Sequence, residues 1–310
     1  MGVYHFVYQY FANRAGEKDD GVPEDCPGVD SNEAGKKDTC QGCPNQTKCA
    51  SGELKLERDK LITTVSTKLS QVQTVVLVMS GKGGVGKSTI STQLAYMLST
   101  NHNVGLLDID LTGPSVPGMT NTESAEVFES AQGWTPVYVS DKLSVLSIGH
   151  LLRESKQSII WRGPKKDSLI KQFLMGVDWG HLDYLVIDCP PGSSDEHITI
   201  CNLLQEKKPV VVLVTTPQKR CVDDVHRSAS FCQTANLPIV ALVENMTQSV
   251  FDSANHDNTQ DLCKQFGITN VLKLEMQPEI VAAGEEGRPL TNIECLRPLE
   301  SYISSYAKAH

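Results

Sequence analysis

The sequence lacks both a long apolar run and an excess of positive charge. No segment of the chain approaches the roughly 18 consecutive apolar positions that a membrane-spanning helix requires. Lysine and arginine together number 28 against 37 aspartate and glutamate residues, which gives a net charge of −9. Without a long apolar run we expect no membrane span. Because nonspecific binding to nucleic acid depends on basic side chains that neutralise phosphates, we expect no nucleic-acid partner either.

The N-terminus lacks an export signal, and this absence guides the interpretation of the ten cysteines. The first residues, MGVYHFVYQYFANRAG, contain no basic stretch followed by an apolar run and no small-residue cleavage site. The myristoylation pattern also fails, because Phe6 occupies the position where it needs serine or threonine. We therefore expect a cytoplasmic protein without a disulfide framework, with an organelle presequence as the alternative.

Four of the cysteines are closely spaced: Cys26, Cys40, Cys43 and Cys49 form the pattern C-x13-C-x2-C-x5-C. The surrounding tail, residues 1–53, is polar and shows no helical or strand periodicity, so it needs a cross-link such as a metal centre to become ordered. Four thiolates are the ligand set of an iron–sulfur cluster and also of structural zinc. The spacing alone leaves both metals open.

A connecting helix and an α/β domain are predicted after this tail. Residues 54–73 form a helical stretch with apolar positions that can pack on the main domain. In residues 74–310, apolar runs rich in valine alternate with helical patterns, as in parallel strands that helices cover on both faces. The predicted fold class is α/β, a doubly wound and mostly parallel sheet, with a metal-bound N-terminal tail. Such sheets bind ligands at the carboxyl ends of their strands.

The segment GKGGVGKST follows the first apolar strand and precedes a helix, and it matches the phosphate-binding loop pattern G-x-x-x-x-G-K-[ST]. Its glycines let backbone N–H groups converge on phosphate oxygens, and the helix N-terminus adds positive potential. Lys87 is expected along the β- and γ-phosphates of ATP, and Ser88 is expected to bind Mg²⁺. A glycine-rich turn without a ligand is the alternative. The predicted nucleotide-binding residues of this loop are Gly81, Lys82, Gly83, Gly84, Val85, Gly86, Lys87, Ser88 and Thr89.

Lys82 places a second lysine inside the loop. The resulting GKGGxGKS resembles the deviant Walker A motif of the MinD, ParA, arsenite-pump ATPase and nitrogenase iron-protein class. In that class the extra lysine reaches the nucleotide of a partner subunit. The resemblance therefore implies a homodimer, or a heterodimer with a related P-loop scaffold, with ATP held between the subunits. A solvated lysine without this role is the alternative.

Two further segments extend the resemblance. LLDIDLTGPSVP is similar to the first switch of the class, with Asp108 and Asp110 at a strand end, and YLVIDCPPGSSDEH is similar to its Walker B motif and second switch, with Asp188. Asp110 is expected to orient the attacking water, and the Asp188 carboxylate can hold Mg²⁺ through water. Asn245 resembles the adenine-contacting residue of the class, and Thr215 to Gln218 are candidates for lining the base pocket.

Together, the motifs GKGGVGKST, DIDLTGPSVP, WRGP, DCPPGSSDEH and VTTPQ resemble the Mrp/nucleotide-binding-protein branch of this class. The cysteine pattern resembles that of the long-tailed scaffolds of eukaryotic cytosolic iron–sulfur protein assembly. The resemblance implies a [4Fe–4S] cluster on the four tail cysteines, ATP and Mg²⁺ as cofactors, and slow ATP hydrolysis that involves Lys82, Lys87 and Asp110. Iron–sulfur recipient or targeting proteins are the implied partners.

The sequence departs from that family at one motif. The scaffold members carry C-P-x-C shortly after the EN-M segment, where two cysteines per subunit hold a cluster that bridges the dimer. Here Cys263 is the only cysteine between Cys232 and Cys295, and His256 is the candidate that could supplement it. The bridging cluster is therefore in doubt for this chain. Two other functions stay open: a MinD/ParA-type positioning switch, and a regulatory module whose tail binds zinc.

Overall fold

The computed structural model describes residues 27, 31–111, 113–151, 163–192, 194–248 and 258–309. Its strands are β1 (Val72–Ser80), β2 (Val104–Asp108), β3 (Phe128–Ser130), β4 (Gly133–Thr135), β5 (Val137–Ser140), β6 (Leu143–Ser147), β7 (Leu182–Pro191), β8 (Val210–Thr215), β9 (Ile239–Thr247) and β10 (Val271–Glu275). Within the described residues, eight of them form one sheet in the order β10-β9-β8-β1-β7-β2-β6-β5. All neighbouring pairs are parallel except β5 and β6, and β3 pairs with β4 in a separate antiparallel hairpin.

Helices cover both faces of this sheet. They are α1 (Gln46–Ser51), α2 (Glu53–Lys68), α3 (Lys87–Ser99), α4 (Val116–Met119), α5 (Ile148–Leu151), α6 (Gly163–Gly176), α7 (Asp195–Leu204), α8 (Lys219–Thr234), α9 (Asn258–Phe266), α10 (Pro278–Glu286) and α11 (Arg297–Ala309). Short 3-10 turns occur at Asp38–Cys40, Gln205–Lys207 and Ile293–Leu296. Among the helices described, none has the length and apolar character needed to cross a lipid bilayer.

Two hydrophobic cores lie on opposite faces of the sheet, because successive side chains of a strand point to opposite sides. In β1, Leu77 and Met79 belong to the core covered by α2, α6, α7, α8 and α9, whereas Val76 and Val78 belong to the core covered by α3, α10 and α11. The central strands are buried on both faces, which is why they read as continuous apolar runs. The predicted doubly wound, mostly parallel α/β fold is confirmed.

Helix α2 determines where the N-terminal tail joins the domain. It ends at Lys68, close to the start of β1 at Val72, and it packs along α6 and α7. Because α2 ends at the amino edge of the sheet, where β1 starts, and packs along α6 and α7, its N-terminus lies away from that edge, towards the carboxyl edge. A helix of 16 residues is about 24 Å long, whereas the 9 residues of β1 extend about 30 Å. The tail therefore joins the domain near the edge where ligands bind in such folds.

The described part of the tail is a compact turn-and-helix unit. Gly35 has φ +72, and a side chain there would come within 2.5 Å of the backbone of α1, at the Gln46 carbonyl oxygen and the Ala50 nitrogen. The Gln46 Nε2 atom donates to the Gly35 carbonyl at 3.3 Å. Gly52 has φ +77, and this left-handed residue ends α1 and starts α2. Only a glycine meets the steric demand at position 35, so the tail has a defined local fold.

Candidate functional site

The phosphate-binding loop connects β1 to α3 at the carboxyl edge of the sheet. Gly84 and Gly86 have φ +82 and +86, a left-handed conformation that other residues rarely adopt. At Gly81, a side chain would overlap the backbone of Asp224 and Val225 in α8, so the start of the loop packs directly on that helix. Helix α3 begins at Lys87, and its first N–H groups have no acceptor within the helix. The loop therefore has the backbone geometry of an anion site.

Asp188, a buried carboxylate near the end of β7, contacts three side chains of α3. The Lys87 Nζ atom lies 2.8 Å from its Oδ1 atom, and the Ser88 hydroxyl donates to its Oδ2 atom at 2.6 Å. The Ser91 hydroxyl donates to Oδ1 at 2.6 Å. The Asp110 Oδ2 atom lies farther away, 3.9 Å from Lys87 Nζ. Four of the predicted residues therefore meet here, and Ser91 was not predicted.

Three carboxyl groups surround one lysine at this site, and the pKa values of Lys87 and Asp108 are shifted. Burial lowers the pKa of Lys87, but the carboxylates of Asp188, Asp110 and Asp108 raise it by more. The net pKa is raised, so the ammonium stays charged. Burial and the nearby Asp188 carboxylate raise the pKa of Asp108 to about 8, against the opposing effects of Ser147, Lys87 and the Asp110 N–H. The Ser147 hydroxyl donates to Asp108 at 2.9 Å. The site thus holds more acidic groups than its single buried lysine balances.

Two cavities meet at the loop. The first, of about 200 Å³, is lined by loop residues together with Asp110 and Pro191. The second, of about 270 Å³, lies between the ends of β9 and β10 and helix α10, and three methionines line it. Gly86, Thr89 and Met119 line both cavities. The methionines and the other apolar residues of the second cavity are Met119, Met246, Met276, Ile280 and Val281.

Asn245 lies between the loop and the second cavity. Its side chain is buried, and its Nδ2 atom donates to the Val85 carbonyl at 3.0 Å. A side chain at Gly86 would overlap that same nitrogen. Asn245 lines the second cavity, as the prediction of a base-contacting residue requires, whereas Thr215 to Gln218 are absent from its described lining. The segment from Glu275 to Glu285 supplies most of the lining, and no sequence motif indicated it.

Lys82 behaves differently from Lys87. Its side chain is exposed at the mouth of the first cavity, and within the described part of the chain its ammonium has no ion-pair partner. The Ser80 hydroxyl donates to the Lys82 carbonyl at 3.0 Å, a contact that holds the backbone of the loop and does not involve the side chain. A lysine in this position is available to a group outside its own subunit.

Three of the four predicted tail ligands lie in the described tail. Cys40 ends a 3-10 turn and is buried, whereas Cys43 and Cys49 are half-buried. The Cys43 N–H donates to the Cys40 carbonyl at 3.1 Å, so these two residues close one turn. Across the residues that the structure describes, no three His, Cys, Asp or Glu side chains converge as a metal site. Cys26 and His256 lie outside the described residues.

Comparison with protein families identifies the domain. A ParA family model, described as NUBPL iron-transfer P-loop NTPase, matches residues 71–309. The chain belongs to this family. The match begins just before β1 and ends in α11, so it covers the whole sheet, both cavities and all the predicted loop residues.

Solved structures agree with the family. The nucleotide-binding protein of Archaeoglobus fulgidus, in complex with ADP, is 28% identical over 74% of this chain and 93% of that chain, with a TM-score of 0.62. The Pyrococcus furiosus cell division ATPase MinD is 19% identical over 76% of this chain and 99% of its own, with a TM-score of 0.54, and shares the fold. A putative plasmid partition protein of Borrelia burgdorferi bound to AMPPNP, 21% identical over 76% of this chain and 99% of its own, also shares it, with a TM-score of 0.52. The predicted Mrp/nucleotide-binding-protein class is confirmed.

Proposed function

We propose that this chain is an ATP-dependent carrier in cytosolic iron–sulfur protein assembly, with a [4Fe–4S] cluster as cargo on its N-terminal tail. The observation that carries the proposal is the placement of a cysteine-bearing tail, through α2, towards the same edge of the sheet as the phosphate-binding loop. Membership in a family described by iron transfer supports the cargo. Nucleotide binding alone would not require the four closely spaced cysteines.

ATP binds with its phosphates in the smaller cavity and its base in the methionine-lined cavity. The N–H groups of the loop and of the start of α3 bind the phosphate oxygens. The Lys87 ammonium, which lies 2.8 Å from Asp188 in this structure, transfers its contact to the β- and γ-phosphates. Burial of the base among Met246, Met276 and Ile280 supplies apolar contact, and Asn245 supplies a polar one.

Mg²⁺ fits the residues at the end of β7 and the start of α3. It takes oxygen ligands and usually keeps several waters, with only one or two carboxylates and the substrate phosphates completing its shell. The Ser88 hydroxyl and the Asp188 carboxylate already lie together, 2.6 Å apart, and the surplus of acidic groups around Lys87 favours a cation. Bound there, Mg²⁺ would neutralise charge on the phosphates during hydrolysis.

Hydrolysis needs a second subunit in this proposal. Asp110 lines the phosphate cavity and orients the attacking water. Lys82 points out of its own subunit and neutralises the phosphates bound by the partner, as in the class that the loop resembles. Two protomers would face each other across the carboxyl edge, so ATP would bring their tails close to one interface. Related dimeric ATPases are consistent with this arrangement, and hydrolysis is expected to be slow.

The tail fits a thiolate-bound cluster in its chemistry and in its backbone. Four cysteines match the ligand number of a [4Fe–4S] cluster, and Cys40 and Cys43 close one turn beside α1. Gly35 packs closely against Gln46 and Ala50 of α1, the helix that also carries Cys49. Zinc would use the same four thiolates, so the metal itself has to be measured.

The test is the metal content of the full chain after anaerobic purification and reconstitution with iron and sulfide. We expect about four irons and four sulfides per chain. Replacing Cys40 and Cys43 together with serine should abolish them, whereas the matched double variant Cys263→Ser/Cys295→Ser, which alters two half-buried cysteines outside the tail, should retain them. Zinc in place of iron, or an unchanged iron content in the tail variant, would overturn the cargo assignment.

A further inference from the structure

His197 is a buried histidine at the start of α7 to which the nucleotide site described above gives no role. It is the third residue of α7, at the end of the segment DCPPGSSDEH, and it is 1% exposed. We propose that His197 is a positioning residue for ATP hydrolysis, which holds the end of β7 after Asp188 through a hydrogen bond that Nδ1 accepts and one that Nε2 donates. The inference rests on the proposed ATPase function.

The first ring nitrogen, Nδ1, caps α7. It accepts a hydrogen bond from the Ser194 N–H at 3.3 Å and lies 3.1 Å from the Ser194 hydroxyl. This is the return bond of a capping box, in which a side chain of the first turn accepts from the N-cap backbone. An Nδ1 atom that accepts from a backbone N–H carries no proton, so the neutral ring carries its proton on Nε2. Burial lowers the pKa of His197, which favours that neutral form.

The second ring nitrogen, Nε2, is a buried donor with no acceptor in full hydrogen-bond geometry among the described residues. Leaving a buried N–H unpaired is costly, so such a group calls for an explanation. The Pro190 carbonyl lies near the ring and acts as a weak backbone acceptor that favours the protonated ring, although its geometry with Nε2 falls short of a full hydrogen bond. The ring itself is held edge-on against Phe231 of α8, with centroids 6.1 Å apart, so the end of β7 has to move if the two groups are to meet.

The end of β7, which carries Pro190 and Pro191, is connected to the phosphate site. Pro191 lines the phosphate cavity, and the Gly192 N–H donates to the Ser80 carbonyl at 2.8 Å, at the start of the phosphate-binding loop. Gly192 has φ +84, a conformation that lets the chain turn sharply there. A nucleotide that displaces Pro191 shifts the neighbouring Pro190 carbonyl with it. In this arrangement a filled phosphate cavity strengthens the hydrogen bond from Nε2 to this carbonyl.

The neighbouring ion pair keeps α7 in place while the end of β7 adjusts. Lys166 of α6 lies 2.7 Å from Glu196, the residue before His197, and the Thr199 hydroxyl donates to Asp167 of α6 at 2.9 Å. Both contacts tie the first turns of α7 to α6. These contacts fix the start of α7 relative to α6. The hydrogen bond from Nε2 then fixes the end of β7, which carries Asp188, relative to the same helix.

Three variants of the full chain separate this role from simple capping. His197→Asn keeps an acceptor at the place of Nδ1 but has no group that reaches the place of Nε2. His197→Gln keeps an amide donor near the place of Nε2 and is itself a favoured capping-box residue. His197→Phe keeps the aromatic contact with Phe231 and loses both polar functions. The measurements are ATP affinity, kcat and KM for each variant and the wild type.

We expect kcat to fall about ten-fold in the asparagine and phenylalanine variants, with KM and ATP affinity changed less than about two-fold, and to recover in the glutamine variant. If capping were the only role, asparagine and glutamine would both retain wild-type kcat, and this result would overturn the inference. A wild-type chain that binds ATP without hydrolysing it would instead refute the proposed ATPase function, and the inference with it.

Discussion

Replacing Lys87 should destabilise the protein as well as inactivate it. In this structure Lys87 and Asp188 are 6% and 0% exposed, and their charged atoms lie 2.8 Å apart. Lys87→Ala removes the cation and leaves the Asp188 carboxylate buried beside two hydroxyl groups, those of Ser88 and Ser91. Removing one partner of a buried ion pair is far more costly than removing both, because the remaining charge stays desolvated.

The stability that Lys87→Ala loses has both a lower and an upper bound. Breaking a buried pair by removing one partner costs about 3–5 kcal/mol of the free energy of unfolding. The cost has a ceiling, because Asp188 can take up a proton instead, and protonating a free aspartate at pH 7 costs about 4 kcal/mol. The two hydroxyl donors keep the loss near the lower value of about 3 kcal/mol. For a domain of this size, 1 kcal/mol changes the Tm by about 2–4 °C, so Tm should fall by about 6–12 °C.

Thermal and urea unfolding of four chains without nucleotide measure this loss. Lys87→Ala should be the least stable, and Lys87→Ala/Asp188→Asn should recover most of the loss while remaining unable to hydrolyse ATP. Lys82→Ala is the matched control, since it removes an exposed lysine from the same loop, and it should unfold like the wild type. Below pH 7 the loss should shrink, because protonation of the carboxyl becomes easier. A Lys87→Ala chain with wild-type Tm would refute the reasoning.

Three further predictions concern the dimer, the protonation of Asp108 and the missing C-P-x-C motif. Lys82→Ala should bind ATP with nearly wild-type affinity but lose the hydrolysis that rises with protein concentration; activity that is independent of concentration and of Lys82 would contradict the sandwich dimer. Burial raises the pKa of Asp108 from 3.8 to about 8. Between these pH values the unfolded chain loses the Asp108 proton while the folded chain keeps it, so the free energy of unfolding of the wild type falls as the pH rises. The Tm of Asp108→Asn relative to the wild type should therefore rise from pH 4 to pH 8 and level off above pH 8. A Tm difference that does not change with pH would show that Asp108 is ionised in the folded chain. A chain lacking residues 1–53 should fold and bind nucleotide but hold no bridging cluster, because Cys263 alone offers two thiolates per dimer. About four irons per tail-less dimer with the Mössbauer spectrum of a [4Fe–4S] cluster would contradict this.

The contacts of Asp188 partly satisfy the charges around the phosphate-binding loop. Lys87, Ser88 and Ser91 all contact this carboxylate. Phosphates and Mg²⁺ would replace these contacts rather than fill a site of unpaired groups. The exposed lysine of the loop, Lys82, has no such internal partner within the described residues, which is consistent with its proposed role towards a second subunit.

Local sequence was sufficient for the features that depend on neighbouring residues. The order of strand, glycine-rich loop and helix predicted the phosphate-binding loop, because left-handed backbone at Gly84 and Gly86 and a helix start at Lys87 are properties of adjacent residues. Valine-rich runs predicted parallel strands, because only strands buried on both faces are apolar without alternation. The same reasoning placed Asp108 at the end of β2, since the end of an apolar run is visible in the sequence. It placed Asp188 near the end of β7, which continues to Pro191.

Tertiary structure alone decided which distant residues share the site. Ser91 reaches Asp188 because α3 packs its inner face against β7, and Ser147 reaches Asp108 because β6 lies beside β2 in the sheet. Most of the methionine-lined cavity comes from the segment Glu275 to Glu285, far along the chain, which carries no motif because methionine and isoleucine there resemble ordinary core residues. Sheet order brings these pieces together, and sheet order depends on long-range packing that a local pattern does not contain.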